Sequence, residues 1–480
     1  MNTQKPPSPQ MPIFTVKAKY TDTEVDRYRG NPLIEALPAL LRGKAEFDSF
    51  VENIPPVPTD RTRKKSEVVR MMEAMTIKDV VYPFPEYSRA SADIATLIRD
   101  SYVSRNPMTS DDVQRRHALA TGSRDGLAYP SDWSSSADGY FMISVTGMGK
   151  STWANGFLVR HPQLIRHEMY RGKPVPCRYQ VVYLYLRVPF NGTLSALCLQ
   201  FFRKVDKLLG TNYLRQAKAL RSVAPMVELM SAVASTISLS FIVMDELQNL
   251  RSAHGENAEI ALNYLTEIIE GIGISVICLA TPKIYSVLAK NAESTRKLSS
   301  LSGLMIEPMK KGDPQWKTFC ELNWDYTYVK RKPRLDETTM NVWHEVSGGN
   351  TAFAKLAFLL TQRYEIGGRE IVDVDGLRRT SACDMAFLRP AIAALNSGDP
   401  KKLGDFDDMI YGAKYRGLQR LLGIDSGSPG VGEYRNEPEF DDFQRDVAQR
   451  EKRRRKSKEA KQQIGDDWTD ELSTLDPLIS

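Results

Sequence analysis

Lys150, Ser151 and Thr152 directly follow the glycine-rich turn Thr146-Gly147-Met148-Gly149. These residue types in this order can hold a nucleoside triphosphate. The turn aims successive backbone N–H groups inward at phosphate oxygens, and a helix starting near Lys150 adds its positive N-terminal end. Lys150 would reach the β- and γ-phosphates, and the Ser151 hydroxyl would ligate Mg²⁺. Further along, Asp245 and Glu246 are adjacent carboxylates at the end of an apolar run. Asp245 would hold the Mg²⁺ directly or through water, and Glu246 would polarise an attacking water as general base. Thr281, before Pro282, brings a third hydroxyl that could meet the γ-phosphate or that water.

These side chains need strands that end together. Phe141–Ser144 reads as a short strand breaking into the turn, Leu239–Met244 as a second, and Ile272–Ala280 as a third after an amphipathic helix over Asn257–Ile269. Tyr179–Leu186 reads as another buried strand, followed by a helix over Leu194–Leu209. Strands alternating with helices imply a parallel sheet with right-handed crossovers, whose ligands gather at the C-terminal strand edges. A helix over Lys283–Lys290 leads to Arg296, the best-placed candidate for an arginine finger reaching a neighbouring subunit's site. One position departs from the phosphate-loop pattern: Ser144 stands where its first glycine is expected.

The chain's 480 residues and 42% hydrophobic content suffice for a large core with appendages. Four regions separate. Residues 1–130 form a Pro-punctuated, mainly helical extension; 131–308 the nucleotide-binding α/β domain; 309–395 a helical lid with the turn Gly348-Gly349-Asn350; and 396–480 a helix over Phe406–Leu422 and a flexible charged tail. Asn350 reads as a turn or cap residue. The net charge of +6 is small for this length, but the tail gathers Arg450, Lys452, Arg453, Arg454, Arg455, Lys456, Lys458 and Lys461 before turning acidic. Such a block suits phosphate or an acidic partner. The five cysteines are scattered singly, without metal-ligand spacing, and read as reduced thiols. The polar, Pro-rich start and the lack of a long apolar run point to a cytoplasmic protein with no membrane contact.

The order of phosphate loop, Asp-Glu strand, Ala-Thr-Pro strand and Gly-Gly-Asn lid resembles the TnsC/TniB group of AAA+ transposition regulators. The segment Tyr28–Pro38, YRGNPLIEALP, is the most specific part of that resemblance, which covers roughly residues 22 to 365. It implies a P-loop AAA+ fold, a parallel sheet flanked by helices with a small all-α lid, and a bacterial ATPase using ATP and Mg²⁺. Carried over residue by residue, it assigns phosphate binding to Gly147, Gly149 and Lys150 within the cofactor-binding run Thr146 to Thr152, Mg²⁺ to Ser151 and Asp245, hydrolysis to Glu246 and sensing to Thr281. Relatives with Gly-Asn-Pro-Arg in the lid offer an arginine where this chain has Ala352, and Lys355 is its candidate substitute one helical turn on.

The resemblance also implies partners. Such regulators assemble as rings or filaments on double-stranded DNA, gripping its backbone, and link a target-selection protein or RNA-guided complex to the transposase, here through the C-terminal tail. Arg203 and Lys204 are candidate DNA contacts. Two other readings use the same site: a helicase loader or signalling switch with other partners, and a nucleotide-binding scaffold that never hydrolyses, which Ser144 and the missing lid arginine permit.

Overall fold

The computed structural model describes residues 15–40, 43–121, 133–190, 192–252, 257–288 and 291–397. The helix expected at 406–422 and the basic tail lie outside them. The central element is a five-stranded parallel sheet built from β1 (Gly139–Ser144), β2 (Tyr183–Arg187), β3 (Phe241–Asp245), β4 (Ser275–Ala280) and β5 (Ser302–Ile306). Its spatial order is β5-β1-β4-β3-β2. The strand that precedes β5 in sequence is thus inserted between β1 and β3.

Every residue of β1, β3 and β4 is buried, as both-faced coverage of a parallel sheet requires. Alternation along β1 assigns the two faces. Tyr140 and Met142 join a core with the N-terminal residues Leu33, Ile94 and Ile98, the helix after the phosphate loop (Trp153, Phe157), and the lid residues Trp343 and Phe358. Phe141 and Ile143 face the opposite core of Phe201, Met230, Val233 and Leu265. The N-terminal extension therefore forms part of the layer that covers the sheet.

Helices α1 (Pro85–Asp100), α2 (Lys150–Val159) and α4 (Thr351–Glu365) border the site, and α3 (Leu194–Leu209) packs in the core on the opposite sheet face. Helix α3 has the bounds that its periodicity indicates and ends on Gly210 at φ 70°, an αL residue of the kind that stops helices. Helix α1 starts with proline at its first turn, where the missing N–H costs nothing. The helical region after residue 309 comprises Pro314–Trp324, Glu337–Glu345, α4, Val374–Cys383 and Arg389–Ser397.

Some elements differ from the sequence expectation. Tyr179–Leu186 is two strands rather than one. Tyr179–Val181 pairs antiparallel with Leu164–Arg166 in a three-stranded sheet that also takes Thr15–Lys17, and only Tyr183–Arg187 enters the main sheet. The backbone changes partner at the joint: the Val181 N–H donates to Ile237 and the Val182 N–H to Gln163. Periodicity could not mark that joint, because residues on both sides of it are apolar and buried. The helix expected at 283–290 opens as a 3₁₀ turn, Pro282–Ile284, followed by Tyr285–Leu288. The third strand starts at Ser275, since Ile268–Ile272 closes the preceding helix in a π turn and Gly273 reverses the chain at φ 79°.

Candidate functional site

The phosphate loop gets its shape from two glycines. Gly147 and Gly149 sit at φ 91° and 96°, which side-chain-bearing residues rarely adopt, and Gly149 leads directly into α2. Ser144 tolerates the position of the missing glycine because it is the last residue of β1 with ordinary backbone geometry. Its hydroxyl is put to use: the Lys150 ammonium donates to Ser144 Oγ at 3.0 Å, to the Ser144 carbonyl at 2.7 Å and to that of Val145 at 3.3 Å. Lys150 is thereby folded into the loop, 9% exposed.

Asp245 ends β3 and is 2% exposed. Its Oδ2 accepts the Ser151 hydroxyl at 3.0 Å, and its Oδ1 accepts the Glu246 backbone N–H at 2.9 Å. The two residues assigned to Mg²⁺ are therefore in direct contact. The same Oδ2 accepts the phenol of Tyr185, and Arg187 Nη2 stands 3.9 Å away. Burial and the Asp245 charge hold the Tyr185 phenol protonated, well above the usual tyrosine range.

Glu246 leaves the strand at φ 59°, an αL conformation uncommon for a residue with a side chain. Gln248 links it to Thr281, donating from Nε2 to Glu246 Oε2 at 2.5 Å and accepting the Thr281 N–H at Oε1, 3.1 Å. Thr281 is 4% exposed, and its Oγ1 has no hydrogen-bond partner among the described residues. A buried hydroxyl left unpaired costs free energy of about 1–3 kcal/mol unless something else meets it. It lines the same cleft as Lys150, Ser151, Asp245 and Glu246.

That cleft, about 660 Å³, also takes Thr146 to Thr152, Gln248, and lid residues Thr351, Ala352, Phe353 and Lys355. The start of α4 lies on the phosphate loop. Asn350 caps the helix, accepting from the Ala352 and Phe353 N–H groups, and its Nδ2 donates to the Thr146 carbonyl at 2.7 Å. Thr351 Oγ1 and the Ala352 N–H both donate to the Gly147 carbonyl, at 2.7 and 3.1 Å. Gly147 permits this approach, since a Cβ on it would come 2.6 Å from Asn350 Oδ1 and 3.0 Å from the Ala352 methyl. Lys355 lies in the cleft with its ammonium donated to the Val80 carbonyl. Burial lowers its pKa from 10.5 to about 8, with Asp79 opposing.

The N-terminal extension closes the other end. Tyr82, Phe84 and Tyr87 line the cleft together with Phe319. The Tyr87 hydroxyl donates to the Met148 carbonyl at 2.6 Å, and its ring stacks on Trp153 at 5.9 Å. Of the residues singled out from sequence, Thr146 to Thr152, Asp245, Glu246 and Thr281 converge here. Arg296 does not: it is an exposed residue of the helix Ala292–Leu298, outside the cleft. Arg203 and Lys204 lie exposed on α3.

Sequence reasoning passed over Tyr185, Gln248, Tyr82, Phe84 and Tyr87, and took Asn350 only as a cap. The aromatic and proline density of Tyr82-Pro83-Phe84-Pro85-Glu86-Tyr87 was the available signal. Nothing local marks Tyr185, which reaches Asp245 from the neighbouring strand, or Gln248, which sits in the 3₁₀ turn after β3 and reaches Thr281 just past the end of β4.

Residues 138–288 match a family described as an AAA domain. The chain carries a P-loop AAA domain. A parallel sheet ending in a phosphate loop and a carboxylate pair agrees with that match. Among solved structures, the chain is similar to a Walker-type ATPase of Pyrococcus abyssi, at 12% identity and TM-score 0.33 over 59% of this chain and 84% of that one. No curated protein matches the chain. The AAA domain is flanked by the N-terminal and lid helices that complete its cleft. No helix among the described residues is long and apolar enough to cross a membrane.

Proposed function

We propose that the protein binds and hydrolyses ATP with Mg²⁺, and that it uses the nucleotide state to control its own assembly on DNA as a TnsC/TniB-type transposition regulator. The observation that carries the ATPase reading is the convergence of Lys150, Ser151, Asp245, Glu246 and the unpaired Thr281 hydroxyl on one cleft. The cleft volume falls within the range that small ligands occupy. Aromatic rings at the Tyr82, Phe84 and Phe319 end suit a base, and the Gly147–Lys150 end suits phosphates.

The residues fit the roles as follows. Lys150 exchanges its loop oxygens for phosphate oxygens, a charge-assisted contact. Ser151 and Asp245 would hold Mg²⁺, which would neutralise charge on the β- and γ-phosphate oxygens. Glu246 accepts a proton from water, with Gln248 orienting its carboxylate. Thr281 donates its free hydroxyl toward the γ-phosphate or that water. A complete set of this kind favours turnover over an inert scaffold.

Regulation of transposition is supported by the resemblance of Tyr28–Pro38. In this chain that segment is built into the core: Asn31 Nδ2 donates to the Tyr102 carbonyl at 2.7 Å, and Gln180 Nε2 donates to that of Leu33 at 2.8 Å. Arg296, exposed and away from its own cleft, is available to a neighbouring subunit's ATP. ATP binding then stabilises the oligomer and hydrolysis loosens it, while lysines and arginines hold the DNA backbone. The C-terminal tail reaches the transposase, and a target-selection protein or RNA-guided complex loads the assembly.

The test is steady-state ATPase activity with and without duplex DNA, paired with electron microscopy in a non-hydrolysable ATP analogue. Turnover lost in Glu246→Gln and rings or filaments on DNA support the reading. Turnover without any DNA-bound assembly leaves an AAA ATPase of another kind, such as a helicase loader or signalling switch.

A further inference from the structure

Tyr185 stands two residues before the end of the edge strand β2. Its register partner on β3 is Val243, which puts it on the same sheet face as Asp245, two residues further on. From there its phenol donates to Asp245 Oδ2, the oxygen that also accepts the Ser151 hydroxyl. Oδ1 accepts the Glu246 N–H. The carboxylate is held from three directions: β2, the start of α2 and its own strand end. An ionised carboxylate offers about four lone-pair sites, so three donors leave one for a further ligand. Among the described residues, the cation that comes within 4 Å of this carboxylate is the Arg187 guanidinium, at 3.9 Å on a largely exposed side chain.

We propose that Tyr185 is a positioning residue for the metal site, holding Asp245 Oδ2 together with Ser151 so that the carboxylate keeps the orientation in which the remaining lone pair, on Oδ1, is open to the metal. This rests on the ATP–Mg²⁺ reading above. Without the phenol, Asp245 loses one of its three fixed points, and Arg187 is free to draw Oδ2 toward itself and turn Oδ1 out of its metal-facing orientation. The metal-dependent part of nucleotide binding then weakens, while the phosphate loop, which Tyr185 does not touch, keeps its metal-free affinity.

The experiment uses the full chain and a fluorescent ATP analogue, titrated in EDTA and then against MgCl₂, with Mn²⁺ binding followed by electron paramagnetic resonance. Tyr185→Phe keeps the ring and its packing. The expected result is unchanged affinity in EDTA, a half-saturating Mg²⁺ concentration raised about tenfold, as losing one charge-assisted hydrogen bond would give, and a matching loss of Mn²⁺ affinity. In an Asp245→Asn background the same substitution should change neither. An unchanged or lowered Mg²⁺ requirement in Tyr185→Phe overturns the role of Tyr185 alone. Nucleotide binding in the wild-type protein that ignores Mg²⁺ overturns the ATP–Mg²⁺ reading and this inference together.

Discussion

Asn350 and Thr146 are joined by a 2.7 Å hydrogen bond from the lid amide to a phosphate-loop carbonyl, across 204 residues of chain. The same side chain caps α4, so helix initiation and lid position depend on one residue. Asn350→Ala should lower stability by about 1–2 kcal/mol through loss of the cap. Asn350→Ser restores a cap and not the reach to Thr146, so it should recover most of the stability. Its melting temperature should nevertheless rise less on adding ATP than that of the wild type, measured by differential scanning fluorimetry.

Lys150 and Glu246 should separate binding from chemistry. Lys150→Ala removes the cation that now bonds Ser144 and Val145, and nucleotide affinity should fall about a hundredfold or more, consistent with the loss of a charge-assisted phosphate contact. Glu246→Gln keeps the shape and should bind ATP normally, with turnover lowered about 10²- to 10⁴-fold, the usual worth of a general base. Isothermal titration and a phosphate-release assay distinguish the two.

Lys355 predicts a pH dependence. Its pKa is lowered from 10.5 to about 8 by burial, so the ammonium is charged below pH 8 and neutral above it. Between about 8 and 10.5 the folded chain has released a proton that the unfolded chain retains, so the burial penalty is relieved and stability from this group rises with pH. Phosphate affinity runs the other way. Between pH 7 and 9 the wild-type protein should lose ATP affinity by up to about tenfold. Lys355→Met should bind more weakly at pH 7 and show a flatter profile; an identical profile would remove Lys355 from the site.

The pair Arg70–Glu370 ties the N-terminal extension to the lid region. Both guanidinium Nη atoms donate to the carboxylate at 2.7 Å, and Arg70 also donates to the carbonyls of Lys65 and Tyr328. Those hydrogen bonds from Arg70 bring the Glu370 carboxyl down from 4.5 to about 2. A depressed acid stabilises the fold above its unfolded value and loses that contribution as pH falls, here from about 4.5 to 2. Arg70→Met should cost about 3 kcal/mol, toward the lower end for breaking a buried pair. Urea denaturation at pH 7 and pH 3 should show a smaller acid sensitivity in the variant.

The local parts of the site were readable because they depend on local chemistry. Gly147 and Gly149 announce backbone angles that few other residues take, and Lys150-Ser151 after them announces what the turn can hold. Helix α3 was readable from its periodicity, and Asp245-Glu246 from two acids ending an apolar run. The division of Tyr179–Leu186 between two sheets was not, because an apolar strand carries no mark of which neighbour its backbone will choose.

The sequence by itself determined that this chain folds a P-loop α/β domain with a glycine-rich turn between strand and helix, since all three follow from adjacent residues. Tertiary structure decided that β4 lies between β1 and β3, which brings Thr281, just past the end of β4, into the cleft that Lys150 and Asp245 also line. It also decided that Tyr185 meets Asp245, that Tyr87 braces Met148 and that Asn350 reaches Thr146. Such contacts join residues far apart in the chain, and their existence depends on how layers pack, which no local spacing encodes.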